Sequence, residues 1–189
     1  YVDKDYNRDE LNTEKQKVSF ILYGKELIVK NGHRTSIIKF HDDFFIGFKT
    51  SGLFRLRSDI YGYSTEDIPI NSGVFCLLKD NFQDIIWIGS DGQGVYSYSN
   101  DLYSIRSTLL NDFTFKINRP IRTIYIDENR TLWIGSKGDG IAKIYDYDVD
   151  KSLQNNKIEY LTIKNSSLWD NSVYSFCKGK KDILWIGTE

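Results

Sequence analysis

Short, mainly apolar runs of five residues recur along the chain at wide intervals, and each run has a glycine at its fourth position. The runs lie at 44–48, 86–90, 132–136 and 184–188, and three of them carry the word Trp-Ile-Gly. Their glycines are Gly47, Gly89, Gly135 and Gly187, so the steps are 42, 46 and 52 residues. Three runs have a second glycine five positions later, at 52, 94 and 140. Repeats of roughly 40 to 50 residues are typical of solenoids and propellers.

Each repeat contains further short apolar segments that are separated by polar turns. In the first full repeat we predict strands at 36–41, 44–48 and 52–57, with a short fourth at 60–63. The third repeat has a predicted fourth strand at 158–163. No window shows apolar residues at helical spacing with caps. Because the inner runs are apolar on both faces, each sheet is expected to pack between two others, which predicts an all-β protein of β-propeller blades with four antiparallel strands.

The strand count divides the chain into three blades and two half-blades. A polar lead-in at 1–17 precedes a half-blade at 18–32, blades at 33–70, 71–118 and 119–168, and a half-blade at 169–189. A seven-bladed ring would need about 320 residues at this period. We therefore expect a fragment of a seven-bladed propeller; the alternative is that the two half-blades pair and close a four-bladed ring.

The two glycines of each repeat have different expected purposes. The glycine after Trp-Ile leaves room for close packing of a neighbouring strand or for a bulge. The second glycine lies at the turn into the third strand, where the backbone is expected to need a positive φ.

Composition and charge exclude several classes of partner. The formal net charge of −1 gives no general attraction to nucleic acid or to an anionic membrane. No apolar run approaches the roughly 18 residues of a membrane span, and the charged lead-in shows no signal peptide. Cys76 and Cys177 lie in apolar strands, so we expect two buried free thiols.

Catalytic and metal-binding patterns find no support. The loops 89–94 and 135–140 are glycine-rich but do not open a helix, which argues against phosphate binding. The acidic run at 146–150 lacks the glycine and closing glutamate of a calcium loop, and the two histidines have no metal-pair spacing. Asp80, Asp127 and Asp182 recur at turns between strands, which favours turn chemistry, and the repeated tryptophans are expected in the core. We predict no catalytic residue, no metal and no cofactor.

The loops that precede each first strand differ between repeats and are the best candidates for ligand contact. Propeller connections of this kind emerge on one face beside the central channel, where aromatic rings can stack on sugars and polar groups can bond hydroxyls or acids. The candidate ligand-binding residues are His33, Arg34, Asn71, Arg119, Arg122, Trp169, Asp170 and Asn171.

The segments 80–95 and 127–141 resemble the two-component regulator propeller repeat, whose pattern is aspartate, a short turn, Leu-Trp-Ile-Gly-Thr and then Gly-Leu. The resemblance covers 36–189. The first copy departs from the pattern, with Phe45 in place of tryptophan and Phe48 in place of Ser or Thr. In that family the repeats form the periplasmic sensor region of hybrid two-component histidine kinase/response regulators of Bacteroidetes. Those ectodomains have two seven-bladed propellers and a β-sandwich, and they sense oligosaccharides.

The resemblance therefore implies a non-enzymatic sensor in the periplasm, as the ectodomain of an inner-membrane protein that signals to a histidine kinase. Expected partners are an oligosaccharide, the remaining blades of the full-length chain and a second copy in a homodimer. No nucleic acid is expected, and the membrane is reached only through the full-length protein. The alternatives are a propeller-type glycan lyase or hydrolase, and a protein-interaction scaffold.

Overall fold

The computed structural model describes residues 17–22, 25–31, 33–59, 62–99, 104–107, 115–148, 156–181 and 183–189. All regular structure in these ranges is β-strand. The strands are β1 Lys17–Leu22, β2 Lys25–Asn31, β3 Arg34–Phe40, β4 Asp43–Phe48, β5 Gly52–Asp59, β6 Gly62–Ile68, β7 Val74–Lys79, β8 Ile85–Ser90, β9 Val95–Ser99, β10 Ser104–Ser107, β11 Ile121–Ile126, β12 Leu132–Ser136, β13 Ile141–Ile144, β14 Ile158–Leu161, β15 Val173–Lys178 and β16 Leu184–Thr188.

Consecutive strands pair to form separate antiparallel sheets. Three sheets have four strands, β3 to β6, β7 to β10 and β11 to β14, while β1–β2 and β15–β16 are two-stranded. The predicted all-β architecture of four-stranded blades is confirmed, and β1 pairs antiparallel with β2. Two fourth strands differ from expectation: β6 runs to Ile68 instead of ending near 63, and β14 ends at Leu161, where a turn at 163–165 replaces the strand.

The first strands of neighbouring sheets contact one another in the order β3, β7, β11, β15, so the sheets meet along their inner edges. The first glycines permit this approach. A Cβ built on Gly89 would lie 2.4 Å from the Cys76 sulfur and 2.8 Å from Cγ2 of Ile121 in the next sheet. Gly47 faces Val74 and Gly135 faces Val173 in the same way. The predicted close packing at these glycines is confirmed.

The second glycines adopt the backbone conformation that the sequence predicts. Gly52, Gly94 and Gly140 have φ values of 77°, 74° and 78°, which side-chain-bearing residues rarely adopt. Each of these glycines lies at the turn into the third strand of its blade. The carbonyl oxygens of Gly94 and Gly140 accept hydrogen bonds from Ser90 and Ser136. The serine of the repeat word therefore has its own structural purpose.

The core lies between the sheets. Phe45 of the first blade contacts Tyr98 of the second at a ring separation of 4.9 Å, and Trp87 of the second contacts Tyr147 of the third at 5.0 Å. Both Phe45 and Trp87 are fully buried. Each blade thus covers the aromatic of the preceding one, which explains why the inner strands are apolar on both faces.

Turn chemistry explains two of the three repeated aspartates. Oδ1 of Asp80 accepts hydrogen bonds from the backbone N–H groups of Phe82 and Gln83, and Oδ2 accepts one from the Trp87 indole. Asp127 makes the equivalent bonds to its own turn and to Trp133. Asp182 lies outside the described residues. By strand register, the position in the last hairpin that corresponds to Asp80 is Gly179.

Two expectations of burial are wrong at the last hairpin. Trp185 is 65% exposed and Cys177 is exposed, although both were expected inside. Among the described residues, β15–β16 packs mainly against β11 and β12 of the preceding blade, so Trp185 faces solvent where the equivalent Trp87 is buried. Trp133, covered only by this hairpin, is half-buried.

Replacing Gly89 by alanine is expected to lower the free energy of unfolding by about 2 kcal/mol, because the new methyl group would overlap Cys76 and Ile121 in a packed core. Gly187→Ala is the matched control. Its methyl group would meet only the Ser175 hydroxyl, which can rotate away. Urea denaturation of both variants measures the difference, and equal losses would contradict the assigned inter-blade contact.

The two thiols are expected to react at very different rates. Burial raises the pKa of the Cys76 thiol to about 12, and its sulfur lies 3.9 Å from the Ile121 carbonyl oxygen of the next sheet. At pH 8 a thiol reagent should modify Cys177 alone in the native protein and both cysteines in urea. Mass mapping of the labelled peptides gives the answer, and rapid labelling of native Cys76 would refute this packing.

Candidate ligand-binding site

The loops before the first strands and the loops between the second and third strands lie together at one end of each sheet. Backbone hydrogen bonds join them in all four blades: Lys49 N–H donates to the His33 carbonyl oxygen, Asp91 to Gly73, Lys137 to Pro120 and Glu189 to Ser172. We name this the loop end. All eight candidate ligand-binding residues lie in these loops or at the first positions of the strands that follow them.

Three of the candidates already have hydrogen-bonding partners within the protein. The carbonyl oxygen of Asn71 accepts a hydrogen bond from Nε2 of Gln93. Oδ1 of Asp170 accepts one from the Ser172 N–H, which lowers the pKa of this carboxyl. Asn171 accepts bonds at its carbonyl oxygen from Gly138 and at Oδ1 from Ile163. These polar groups fix the loops, and Asn171 links the third and fourth blades.

Three basic candidates line the rim of the loop end. His33 and Arg34 are exposed at the start of β3, and Arg119 is exposed before β11. The backbone N–H of Arg119 donates to Oδ2 of Asp139, which holds the loop in place while the guanidinium faces solvent.

Every first strand carries a β-bulge one residue after its first paired position. The register shifts between Arg34 and Ser36, Val74 and Cys76, Ile121 and Thr123, and Val173 and Ser175. The bulged residues are therefore Thr35, Phe75, Arg122 and Tyr174, and we call them the bulge row. A bulge changes the direction of its side chain relative to the strand, and here it does so on the strands where the blades meet.

Neighbouring members of the bulge row interact across the blade boundaries. The Arg122 guanidinium carbon lies 3.9 Å from the centroid of the Phe75 ring. Tyr174 is 41% exposed, and partial burial together with Glu189 raises the pKa of its hydroxyl. The nearby positive charge of Arg122 opposes this rise. The bulge row therefore places a cation that is stacked on the Phe75 ring next to the tyrosine of the following blade.

Trp169 is the most exposed large apolar residue at the loop end, with 94% of its surface in contact with solvent. The loop around it is ordered by hydrogen bonds: Asn165 bonds Thr162 and the Tyr160 carbonyl oxygen, and Ser166 bonds the Thr162 carbonyl oxygen. A rigid loop that displays an indole is suited to stacking on a flat ligand surface.

Comparison with known proteins identifies the repeat. Residues 167–189 match the family model described as two component regulator propeller. The chain carries a two component regulator propeller repeat. The resemblance predicted from the sequence is thereby confirmed. No curated protein sequence matches the chain.

Solved structures share this propeller fold. Two structures of the extracellular domain of BT4673 from B. thetaiotaomicron, described as a one component and as a hybrid two component system, align with TM-scores of 0.64 and 0.66 at 21% and 20% identity, over 87% and 92% of this chain. PorZ, a surface component of the type-IX secretion system of Porphyromonas gingivalis, aligns with a TM-score of 0.58 at 16% identity over 85%. The chain spans only 22%, 24% and 25% of these proteins.

Two residues of the candidate site were not predicted from the sequence. Phe75 and Tyr174 are not among the predicted contacts, although they occupy the same bulged position as Arg122. Aligning Val74-Phe75-Cys76 with Ile121-Arg122-Thr123 would have shown that this column varies while its neighbours stay small or β-branched.

The described residues contain no group of three His, Cys, Asp or Glu side chains that could hold a metal ion. His41 bonds Asp84 at 2.8 Å on the surface, and Asp146 lies 3.6 Å from Nε of Arg130. Asp150, the last residue of the acidic run, lies outside the described ranges. Within the part of the chain that the structure describes, no helix is long and apolar enough to cross a membrane.

Proposed function

We propose that the chain forms part of the sensor region of a hybrid two-component system and detects oligosaccharides outside the cytoplasm. The repeat match at 167–189 carries this proposal, because it links the chain to two component regulators. The shared fold with extracellular domains from B. thetaiotaomicron supports a periplasmic location. In this view the chain has no catalytic role and is linked to the membrane and a histidine kinase through the full-length protein.

The loop end is the surface that best fits a saccharide. It combines an exposed indole at Trp169, a stacked guanidinium at Arg122 and solvent-facing basic groups on the rim. Sugar rings stack on aromatic faces and their hydroxyls bond polar side chains. Ligand would bind better to one arrangement of two ectodomains in a homodimer and so shift the population toward the signalling state.

Calorimetric titration of the complete ectodomain against a panel of glycans tests this function. At least one glycan should bind, and Trp169→Ala should weaken it by about fivefold or more. Phe82→Ala removes an aromatic that is also exposed but lies in the turn between the first and second strands, at the opposite end of the blade. It should leave affinity unchanged. Absence of binding by every glycan would refute the proposal, and release of cleaved product would support a glycan-degrading enzyme instead.

A further inference from the structure

Arg122 is the only charged member of the bulge row and lies between two aromatic side chains. Its guanidinium stacks on Phe75 from the preceding blade, while Tyr174 belongs to the following blade. A guanidinium that rests on an aromatic face keeps its N–H groups in the plane of the stack, where they remain available to an acceptor. The guanidinium is thus stacked on the preceding blade, and the next aromatic of the bulge row belongs to the following blade.

The hydrogen-bonding capacity of Arg122 is unused. Its Nε atom is buried and has no acceptor. Two other described arginines also have a buried Nε without an acceptor, but each has a carboxylate partner: Arg57 pairs with Glu66, and Arg130 pairs with Asp146. Arg122 forms no ion pair with any carboxylate in the described part of the chain. Buried polar groups normally have partners, so an unused donor needs an explanation.

Arg55 is a buried arginine with a structural role, and it differs from Arg122 in its hydrogen-bonding partners. Arg55 donates from Nε to Asp43 at 2.6 Å and from a terminal nitrogen to the Tyr98 hydroxyl at 2.9 Å. The ring of Phe45 lies beside it, as Phe75 lies beside Arg122. The two sites therefore share the cation and the aromatic ring, but Arg122 lacks both acceptors of Arg55, the carboxylate and the tyrosine hydroxyl.

The acidic side chains closest to this region are held by other groups. Glu189 accepts a hydrogen bond from the Tyr174 hydroxyl at 3.3 Å, and Asp170 accepts one from the Ser172 N–H. Neither bonds Arg122. The two terminal nitrogens of the guanidinium match the two oxygens of a carboxylate, which they can bind through parallel hydrogen bonds.

We propose that Arg122, held on the ring of Phe75, is the subsite for a carboxylate group on the ligand, so that the protein selects acidic oligosaccharides over neutral ones. This inference rests on the proposed function and adds the chemical class of the ligand. The carboxylate supplies the partner that Asp43 supplies to Arg55, and the sugar ring that bears it lies beside the aromatic members of the bulge row.

Paired ligands test this selection. A panel of uronic-acid and sialic-acid oligosaccharides is titrated into the complete ectodomain, each beside the same oligosaccharide with its carboxylates reduced to hydroxymethyl groups. The acidic member of at least one pair should bind about 10- to 100-fold more tightly than its reduced form, as expected for charge-assisted hydrogen bonds. Sulfated oligosaccharides form a further arm, and tighter binding of these than of every carboxylate would overturn the assignment to a carboxylate.

Variants locate the effect. Arg122→Gln should abolish the preference for the acidic form, Arg122→Lys should retain part of it, and Phe75→Leu should weaken it while the blade stays folded. Arg57→Gln removes a surface arginine on β5 and serves as control. Circular dichroism and the urea midpoint confirm that each variant folds. Free Arg122→Gln protein should lose only the stabilisation from stacking on Phe75, because no carboxylate is left unpaired.

The outcomes separate the two proposals. If neutral glycans bind as tightly as acidic ones, or if Arg122→Gln keeps the preference, the carboxylate subsite is wrong while the sensor function stands. If no saccharide binds at all, both are wrong.

Discussion

Replacing Arg55 by methionine is expected to destabilise the protein by about 3–5 kcal/mol. The guanidinium is nearly inaccessible and is paired with the equally buried Asp43, and it also donates to the Tyr98 hydroxyl in the next blade. Methionine fills much of the volume but leaves the Asp43 carboxylate buried without a counter-charge. Urea denaturation followed by tryptophan fluorescence measures the loss.

Two variants show whether the uncompensated charge causes this loss. The double change Arg55→Met with Asp43→Leu should recover most of the stability, because no charge then remains buried. Arg57→Met removes an exposed arginine from the pair with Glu66 and should cost less than about 1 kcal/mol. A small loss for Arg55→Met, comparable to that for Arg57→Met, would show that Asp43 reaches solvent.

Asp80→Ala is expected to cost about 3 kcal/mol. Four donors lose their acceptor: the backbone N–H groups of Phe82 and Gln83, at 2.7 and 3.0 Å, the side-chain amide of Gln83 at 3.2 Å, and the indole nitrogen of Trp87 at 2.8 Å. Trp87 is fully buried, so water cannot replace the carboxylate there, and an unsatisfied buried donor alone costs about 1–3 kcal/mol. Thermal and urea unfolding of the variant measure the effect.

A double-mutant cycle with Trp87→Phe isolates the indole bond. In the phenylalanine background Asp80→Ala should cost clearly less, because no indole donor is left unpaired. Asp127→Ala should also cost less than Asp80→Ala, since Trp133 is only half-buried and its indole can bond water. Equal costs in both tryptophan backgrounds would mean that only the turn, and not the indole, depends on Asp80.

The blade architecture could be predicted because the repeat words encode it locally. Ile86 to Ile88 must be apolar throughout, since one blade packs on each face of β8, and Gly89 must be small for Ile121 to approach. Each requirement recurs in every blade, so a single sequence displays it several times. The first blade has Phe45 instead of tryptophan, and accordingly needs no carboxylate acceptor at the turn.

The exposure of Trp185 and the bulge row could not be predicted in this way. Burial of the repeated tryptophan depends on the next sheet, and the Trp-Ile-Gly word is the same whether that sheet is present or not. The bulges arise where neighbouring first strands crowd, so the position of Phe75 beside Arg122 depends on two blades that are far apart in sequence.

The candidate site was predicted only in part, for a related reason. Polar residues such as Asn171 and Arg122, in or beside the loops before the first strands, look equally suited to ligand contact in the sequence. The structure distinguishes the two residues. Asn171 accepts hydrogen bonds that join two blades, whereas the Nε of Arg122 has no acceptor. Whether a polar group is already satisfied is a property of the packed structure alone.

The contact between successive blades is tested most directly by nuclear Overhauser effects between methyl groups and glycine Cα hydrogens in the folded protein. The account predicts three cross-peaks, one at each boundary between blades: Val74 with Gly47, Ile121 with Gly89, and Val173 with Gly135. If these methyl groups instead showed cross-peaks only within their own sheets, the blades would not pack in this order and the propeller arrangement would be contradicted.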